Sequence, residues 1–503
     1  MSRPISLTPE RLRGMRRGIE KESLRADRHG ALAMTPHPEA LGSALTHPHI
    51  TTDFSESQLE LITGVHAGVE DCLDELRRVH QFVYRALGDD VLWVASMPCR
   101  LPADENIPIG RYGSSNVGRA KSVYRMGLGL RYGRRMQTIS GIHYNWSLPG
   151  LGDDDYFALI RNFRRHSFLL LLLFGASPAL GACFVEGRDH GLEPLGPGSL
   201  HLPHATSLRM GRLGYQSDAQ ASISASYNSL ESYAASLHEA LTRPYPAYEA
   251  VGVRNPGGEY NQLATTLLQI ENEFYGTIRP KRTILAGERP LHALRARGVE
   301  YVEVRCMDLD PFEPLGIGEA TMRFIDVFLL HCLTSASPED TPEEIAELKR
   351  NQNLVATAGR QPGLRLERGG RSVALADWAA EIVAGCLPLA HQADAVLGGD
   401  AYARAVAQAD ERLRWLQTTP SARVLAAARS DFGGSFCDFV LAQSEQTKGA
   451  LRALPFAAET EAAFRAEALA SLQEQRRIEA ADTLSFEDYR VEYLSPGRLS
   501  VAG

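Results

Sequence analysis

Gly18-Ile19-Glu20-Lys21-Glu22-Ser23-Leu24-Arg25 places two carboxylates two residues apart. In an extended strand, side chains alternate, so Glu20 and Glu22 share one face. Two acids held side by side repel, and a cation or basic side chain between them removes that cost. Far along the chain, Val302-Glu303-Val304-Arg305 repeats the arrangement with an acid and an arginine. Together the two segments describe a site for metal ions and a phosphorylated substrate. Asp53, Glu60 and His143 lie on further segments able to line the same sheet. Carboxylates that bridge to phosphate oxygens suit Mg²⁺, and a histidine joins such a set more comfortably for Mn²⁺. Taken singly, each acid is more often simply solvated.

A second feature is basic. From Asn106 to Gly150 there is no Asp or Glu, while Arg111, Arg119, Lys121, Arg125, Arg131, Arg134 and Arg135 are present. Arginine suits two-pronged recognition of carboxylate or phosphate, and a solvated loop or partner surface is the plainer reading. Arg279-Pro280-Lys281-Arg282 is a smaller cluster of the same kind. Aromatics interleave with these charges: Phe54, Tyr124, Tyr215, Tyr275 and Tyr301. Such rings can wall a cleft, although more often they sit at a core edge. No G-x-x-x-x-G-K-[ST] loop occurs and no G-x-G-x-x-G opens a helix, so a nucleotide is not held by those devices. There is no G-x-S-x-G elbow, and no cysteine has a clear histidine partner in sequence.

The elements that must position these groups are mixed. Gly18–Arg25 reads as a strand followed by a turn at Asp27–Gly30, and Thr138–Leu148 as a strand with His143 and Asn145 on one face. Ser55–Ile62 fits either helix or strand. Thr266–Tyr275 and Val299–Cys306 read as two more strands. Cys72–Leu87 has helical spacing, and Arg161–Phe174 reads as one buried helix. The strands are not spaced as regular βαβ units, which favours an antiparallel sheet. From about Met322 the chain reads as mostly helical. Thr341-Pro342-Glu343-Glu344 is a capped helix start. Leu375–Leu397 carries a kink or break at Pro388, Tyr402–Leu416 is uninterrupted, and Glu459–Ala481 is an exposed helix.

Bulk properties set limits. The 503 residues are 44% hydrophobic and 23% charged, an ordinary globular composition. A formal net charge of −8 argues against a general nucleic-acid or anionic-membrane binder. Cys72, Cys99, Cys183, Cys306, Cys332, Cys386 and Cys437 are scattered with no C-x-x-C pair, as in a reducing compartment. The N-terminus is polar, and the apolar run Phe168–Phe174 falls far short of the ~20 residues a spanning helix needs. The expectation is a soluble cytoplasmic protein.

Several long segments, in one order, carry a family resemblance: Gly18–Arg25, His37–His47 (HPEALGSALTH), Ile50–Glu56 (ITTDFSE), Met136–Asn145 (MQTISGIHYN), Ala205–Arg209 (ATSLR), Leu268–Tyr275 (LQIENEFY), Ile278–Arg282 (IRPKR) and Glu300–Arg305 (EYVEVR). In these the chain resembles glutamate–cysteine ligase of the proteobacterial type. The resemblance implies an α+β fold with a glutamine-synthetase-like central antiparallel sheet forming a funnel-shaped active site. Helices would surround it, with a mostly helical C-terminal third. It implies a catalytic core over residues 8–330 and a helical region, 331–503, packed on it. It implies ATP-dependent joining of the L-glutamate γ-carboxylate to the L-cysteine amine through γ-glutamyl phosphate, the first step of glutathione synthesis. Mg²⁺, or Mn²⁺, is then the cofactor and ATP a co-substrate. By motif, Asp53 and Glu60 join Glu22 around one ion, and His143 and Glu303 join Glu20 around others. Arg305 contacts the transferred phosphoryl group. Phe54, Tyr124, Leu128, Gln137, Tyr215 and Tyr275 match the cysteine pocket, with Arg125 and Arg209 as candidates for holding substrate carboxylate. The expected partners are these small molecules, with no nucleic acid and no membrane, for a monomer or weak oligomer.

Gly150–Tyr156 is short where the family often has an insertion, and the tail from Phe486 to Gly503 has no assignable counterpart. The alternative enzyme is a related ligase for a different amine, because a small apolar pocket discriminates modestly between isosteres. A non-catalytic sensor would lack one of Glu20, Glu303 or Arg305, and all are present. A metal-dependent hydrolase accounts for less of the chain.

Overall fold

Strand β1 (Arg16–Ala26) is the spine of the molecule. Ile19, Lys21 and Ser23 point to one face of it, Gly18, Glu20 and Glu22 to the other. The computed structural model describes residues 5–214, 218–221, 223, 225–285 and 287–499. Six further strands join β1: β2 (Ile50–Thr52), β3 (Gln58–Ile62), β4 (Val91–Leu92), β5 (Ile142–Ser147), β6 (Ile278–Lys281) and β7 (Tyr301–Met307). Among the described residues these form one sheet in the order β2–β3–β1–β5–β7–β6, with β4 beside the end of β1. Every pairing is antiparallel, as the spacing of the elements led us to expect.

Register decides which side chains meet. Glu22 lies opposite Glu60, Glu20 opposite His143, and Glu303 opposite both Asn145 and Arg279. The alternate residues Ile19, Leu59, Leu61, Tyr144, Trp146, Val302 and Val304 are buried on the other face. Helices α1 (Val69–Ala86), α3 (Asp153–His166) and α4 (Glu319–Thr334) cover that side, while α2 (Asn116–Tyr132) leads into the turn before β5. Two polar groups are pinned in this apolar layer. Arg17 Nη2 lies 2.9 Å from Asp326 Oδ2, and Asp326 also accepts the hydroxyls of Tyr144 at 2.7 Å and Tyr402 at 3.2 Å. Lys21 Nζ lies 2.8 Å from His80 Nε2, whose Nδ1 faces the Leu76 carbonyl at 2.7 Å.

The main apolar cluster extends from Leu7 to Leu499, so the helix-rich C-terminal part shares the core behind the sheet. Thr341 caps its helix as expected, accepting the Glu344 amide. Ala458–Ala481 (α5) is largely exposed and is followed by a last helix, Phe486–Leu494 (α6).

Three expectations need correction. Thr266–Tyr275 is not a strand; it is irregular, with one turn of 3₁₀ helix at Glu271–Glu273. Its backbone is instead tied to side chains, as where Gln269 N donates to Glu273 Oε2 at 2.7 Å. Arg161–Phe174 is two helices, Asp153–His166 and Phe168–Phe174, parted at Ser167. Leu375–Leu397 runs unbroken through Pro388. The C-terminal part is mostly helical as expected, with a short hairpin, Arg365–Arg368/Arg371–Ala374, between its helices. Ser55–Ile62 resolves as a turn leading into strand β3. Among the described residues, no helix is long and apolar enough to cross a membrane.

Candidate metal and substrate site

The acidic face of the sheet is built by register alone. Glu20 Oε1 accepts a hydrogen bond from Asn145 Nδ2 at 2.9 Å, and Oε2 lies 3.1 Å from His143 Nδ1. Glu303 takes Lys281 Nζ at 3.0 Å on Oε1 and Arg305 Nη1 at 2.9 Å on Oε2. Ligand atoms of Glu20, His143 and Glu303 all lie within 4.8 Å of one another. Two carboxylates and an imidazole at that spacing fit one hard or borderline divalent ion, Mg²⁺ or Mn²⁺. Asn145 Oδ1 is buried close by without a protein partner.

The ionisation states divide this face in two. Burial works to raise Glu20, but the His143 hydrogen bond and the His143 and Lys281 charges together hold the carboxyl below its usual range. Glu303 is held well below that range: burial opposes ionisation, and the cations Lys281 and Arg305 win. Burial and the Arg305 charge lower His143, keeping the imidazole neutral as a metal ligand requires. Glu22 behaves oppositely. Burial and then the Asp53 charge push it up to about 8, even with the Gly141 amide 2.7 Å from Oε2. Glu60 is raised well above its ordinary value by burial and by Glu20, Asp53 and Glu22. Glu22, Asp53 and Glu60 therefore repel one another, a cost only partly offset by Arg209 and Arg305 near Glu22 and Arg125 near Glu60 and one that a cation would relieve.

The bend in β7 aims Arg305. The ladder to β5 shifts between Val304 and Met307, a bulge of the kind that redirects a side chain at a sheet edge. Arg305 Nη1 thereby comes 3.5 Å from His143 Nδ1. Arg209 Nη2 donates to the Arg305 carbonyl at 2.9 Å, and its Nη1 lies 3.8 Å from Asp308 Oδ1. Asp308 is itself held by Ser177, Ser207 and the Ala176 amide. A cavity of about 180 Å³ opens here, lined by Arg209, Met210, Tyr275 and Arg305, with Arg164 and Lys349 also on its wall.

A second wall comes from α2 and the turn after it. Tyr124, Arg125 and Leu128 ride on α2, and Gln137 Nε2 donates to the Tyr275 hydroxyl at 2.9 Å. Arg125 Nε donates to the Asp53 carbonyl, and its guanidinium lies 4.5 Å from the Tyr112 ring centroid. Phe54 is buried below Gly129, where an added Cβ would come 3.6 Å from its ring. Glu20, Glu22, Asp53, Glu60, His143, Glu303 and Arg305 thus meet on one face. Tyr275, Arg209 and Arg305 share one cavity, with Gln137 bonded to its edge. Tyr215 lies outside the described residues. The basic stretch is not a free anion-attracting loop: Arg131 pairs with Glu273 at 2.8 Å, Arg135 with Glu186 at 3.1 Å, and Arg134 caps the carbonyls of Glu105 and Ile107.

Three contributors escaped the sequence reading as site residues. Lys281 was visible only as part of a basic cluster, although its place beside the strand opposite Glu303 was the signal. Asn145 was visible only as a residue sharing a face with His143. Asp308 follows β7 with no motif of its own.

Comparison with known proteins agrees with this geometry. The family model for glutamate–cysteine ligase matches residues 6–355. The glutamate–cysteine ligase of Azotobacter vinelandii is 50% identical, covering 96% of this chain and 94% of its own. That of Pseudomonas aeruginosa PAO1 is 49% identical over 95% of this chain and 93% of its own. The crystal structure of glutamate–cysteine ligase from Francisella tularensis in complex with AMP superposes with a TM-score of 0.91 at 35% identity, over 96% of this chain and 97% of that one. The acid-lined sheet, its bulged arginine strand and the matching sequence across nearly the whole chain lead to one conclusion: the chain belongs to the glutamate–cysteine ligase family.

Proposed function

We propose how the glutamate–cysteine ligase activity that family membership assigns to this chain is carried out by its residues. The observation that carries the reading is the cluster of Glu20, His143 and Glu303 with Arg305 2.9 Å from Glu303, Arg305 also lining the cavity that holds Arg164, Arg209 and Lys349. The sheet and its surrounding helices close as a funnel of the glutamine-synthetase kind. The proposed metal ligands and acceptor-wall residues lie before residue 330, while Lys349 on the cavity wall comes from the later region; this supports a catalytic core over 8–330 with a supporting region over 331–503. The Francisella tularensis relative is described in complex with AMP, which supports nucleotide binding here.

A carboxylate is a poor electrophile, so the γ-carboxylate of L-glutamate is phosphorylated by ATP and the amine of L-cysteine then displaces phosphate. Glu20, His143 and Glu303 would hold one divalent ion and Glu22, Asp53 and Glu60 another. When bound there, Mg²⁺ would supply the positive charge that offsets the phosphate oxygens in such a transfer. Arg305 reaches the transferred phosphoryl group and stabilises charge developing on it. Arg209 and Arg125 orient substrate carboxylates through paired N–H donors. Phe54, Tyr124, Leu128, Gln137 and Tyr275 wall the acceptor side, excluding the water that would hydrolyse the acyl phosphate.

The test is ADP release from ATP, Mg²⁺ and L-glutamate with L-cysteine, 2-aminobutyrate, serine or glycine added singly. The reading expects the strongest stimulation by cysteine. A different preferred amine would move the assignment to a related ligase, and no acceptor-stimulated turnover would end it.

A further inference from the structure

We propose that the C-terminal segment from Asp482 to Leu499 is a strap that positions the acceptor wall of the active site. The proposal rests on the reading that Tyr124, Leu128 and Tyr275 line the amine-acceptor pocket.

The strap begins at the N-terminus of α2. Glu479, at the end of α5, accepts the Ser114 amide at 2.8 Å, and Asp482 accepts the Asn116 amide. A carboxylate there complements the helix dipole and satisfies an otherwise open N–H. Asn116 Nδ2 in turn donates to the Leu484 carbonyl at 2.9 Å. The chain then turns into α6, whose Phe486 is buried with Ala120 and Leu263, packed about by Val123 and Tyr124. Arg119 lies 4.4 Å over the Phe486 ring, and Tyr260 meets the ring edge-on at 4.8 Å. These contacts grip the outer face of α2, the helix that presents Tyr124, Arg125 and Leu128.

The strap also holds the irregular segment that ends at Tyr275. Glu487 accepts the Tyr260 hydroxyl at 2.7 Å, and Arg490 Nη1 donates to the Leu263 carbonyl at 2.7 Å. Arg289 donates to the Tyr493 carbonyl at 2.9 Å while its other nitrogens hold Glu271 at 2.7 and 3.0 Å. From Leu263 the path to the pocket is short. The Leu263 amide donates to Gln269 Oε1 at 2.9 Å, and Gln269 Nε2 donates to the Tyr124 carbonyl at 3.2 Å. A Cβ on Gly127 would come 2.3 Å from Gln269 Oε1, so α2 lies flush against this residue. Glu273 completes the wall, accepting Arg131 at 2.8 Å and the Tyr132 hydroxyl at 2.7 Å.

The segment 260–275 forms no strand; apart from the isolated bridges Arg254–Tyr260 and Pro244–Thr266 and the Leu267 and Leu268 amides on the Arg243 and Ala240 carbonyls, its shape depends on what packs outside it. The metal ligands differ in kind: Glu20, His143 and Glu303 ride on β1, β5 and β7, which fix one another by ladder bonds. Loosening the strap should therefore misplace the acceptor wall and leave the nucleotide and metal side in register.

The test compares Phe486→Ala, Glu487→Gln and Phe486→Leu in the full-length protein, measuring KM for L-cysteine, L-glutamate and ATP, kcat, and Tm. Phe486→Ala is expected to raise the cysteine KM about fivefold or more with the ATP KM unchanged, since small misplacements of a positioning group are costly. Phe486→Leu should recover most of the loss. Glu487→Gln, which keeps the aromatic packing, should shift the cysteine KM in the same direction and serves if Phe486→Ala does not fold. An unmoved cysteine KM in both variants, or equal changes for all three substrates, would overturn the strap's role. Absence of cysteine-stimulated ADP release from the unmodified protein would instead overturn the ligase reading on which the strap's role depends.

Discussion

Glu22 and Glu60 stand directly opposite each other on β1 and β3, one buried and one half-buried carboxyl whose proton affinity is raised, Glu22 to about 8 and Glu60 well above its ordinary value. A carboxyl with a raised folded-state pKa binds its proton more tightly in the native protein than in the unfolded chain. Its stabilising contribution is complete below the unfolded value of 4.5 and is lost as pH climbs through about 8. Chelator-treated protein should therefore lose Tm as pH rises from 5 to 8. Mg²⁺ binds the ionised carboxylates, so the Tm gain it produces should grow over the same interval. Thermal scans with EDTA and with Mg²⁺ at each pH check this, and a Mg²⁺ gain that shrinks with rising pH would contradict it.

Arg305 and Glu303 form a pair that neither member can lose without consequence. Arg305→Ala should reduce kcat by about 10²–10³, the usual loss when one preorganised charge-stabilising donor is removed, with a folded protein by circular dichroism. Glu303→Gln removes a metal ligand as well and should lose at least as much. Near-normal ADP release from either variant would remove these residues from the reaction.

The Gln137–Tyr275 hydrogen bond of 2.9 Å joins the turn after α2 to the end of the irregular segment. Tyr275→Phe should weaken acceptor binding by roughly three- to tenfold, the worth of about 1 kcal/mol for one such bond. The ATP KM should stay within twofold, read from initial rates at saturating glutamate, with about that margin separating local from general effects.

Behind the sheet, Asp326 is buried against Arg17, Tyr144 and Tyr402. Asp326→Ala strands the Arg17 guanidinium in an apolar layer and should cost ~3–5 kcal/mol, measured by urea unfolding. Because Tyr144 adjoins His143 on β5, the surviving folded fraction should also bind Mg²⁺ less tightly.

The alternation of β1, β5 and β7 could be read directly from residues such as Ile19-Glu20-Lys21-Glu22, because period two is a local property of an extended chain. The pairing of Glu20 with His143 across 123 residues was not local, and only the family resemblance suggested it. Thr266–Tyr275 failed as a strand because its apolar residues resemble alternation while its backbone amides are satisfied by the Arg243 and Ala240 carbonyls and by the Glu273 and Gln220 side chains, a tertiary event. The basic run from Asn106 to Gly150 looked exposed because sequence shows charge without its partner. Glu273 and Glu186, which quench Arg131 and Arg135, lie far downstream. The bulge beside Arg305 left no signature in composition, and the tail's grip on α2 came from Asp482 and Phe486, residues outside any motif.

Lys21 sits between Glu20 and Glu22 but points into the opposite layer, against His80. One residue of slippage along β1 would send Lys21 into the metal site and both acids into hydrocarbon. The catalytic face and the interior are thus two readings of a single strand, legible only in the correct frame. A chain that has paired β1 wrongly has no partial site to offer, so competence to bind metal reports that the frame is right. Change in this protein is cheapest in the turns, where adding or removing a residue leaves that frame intact.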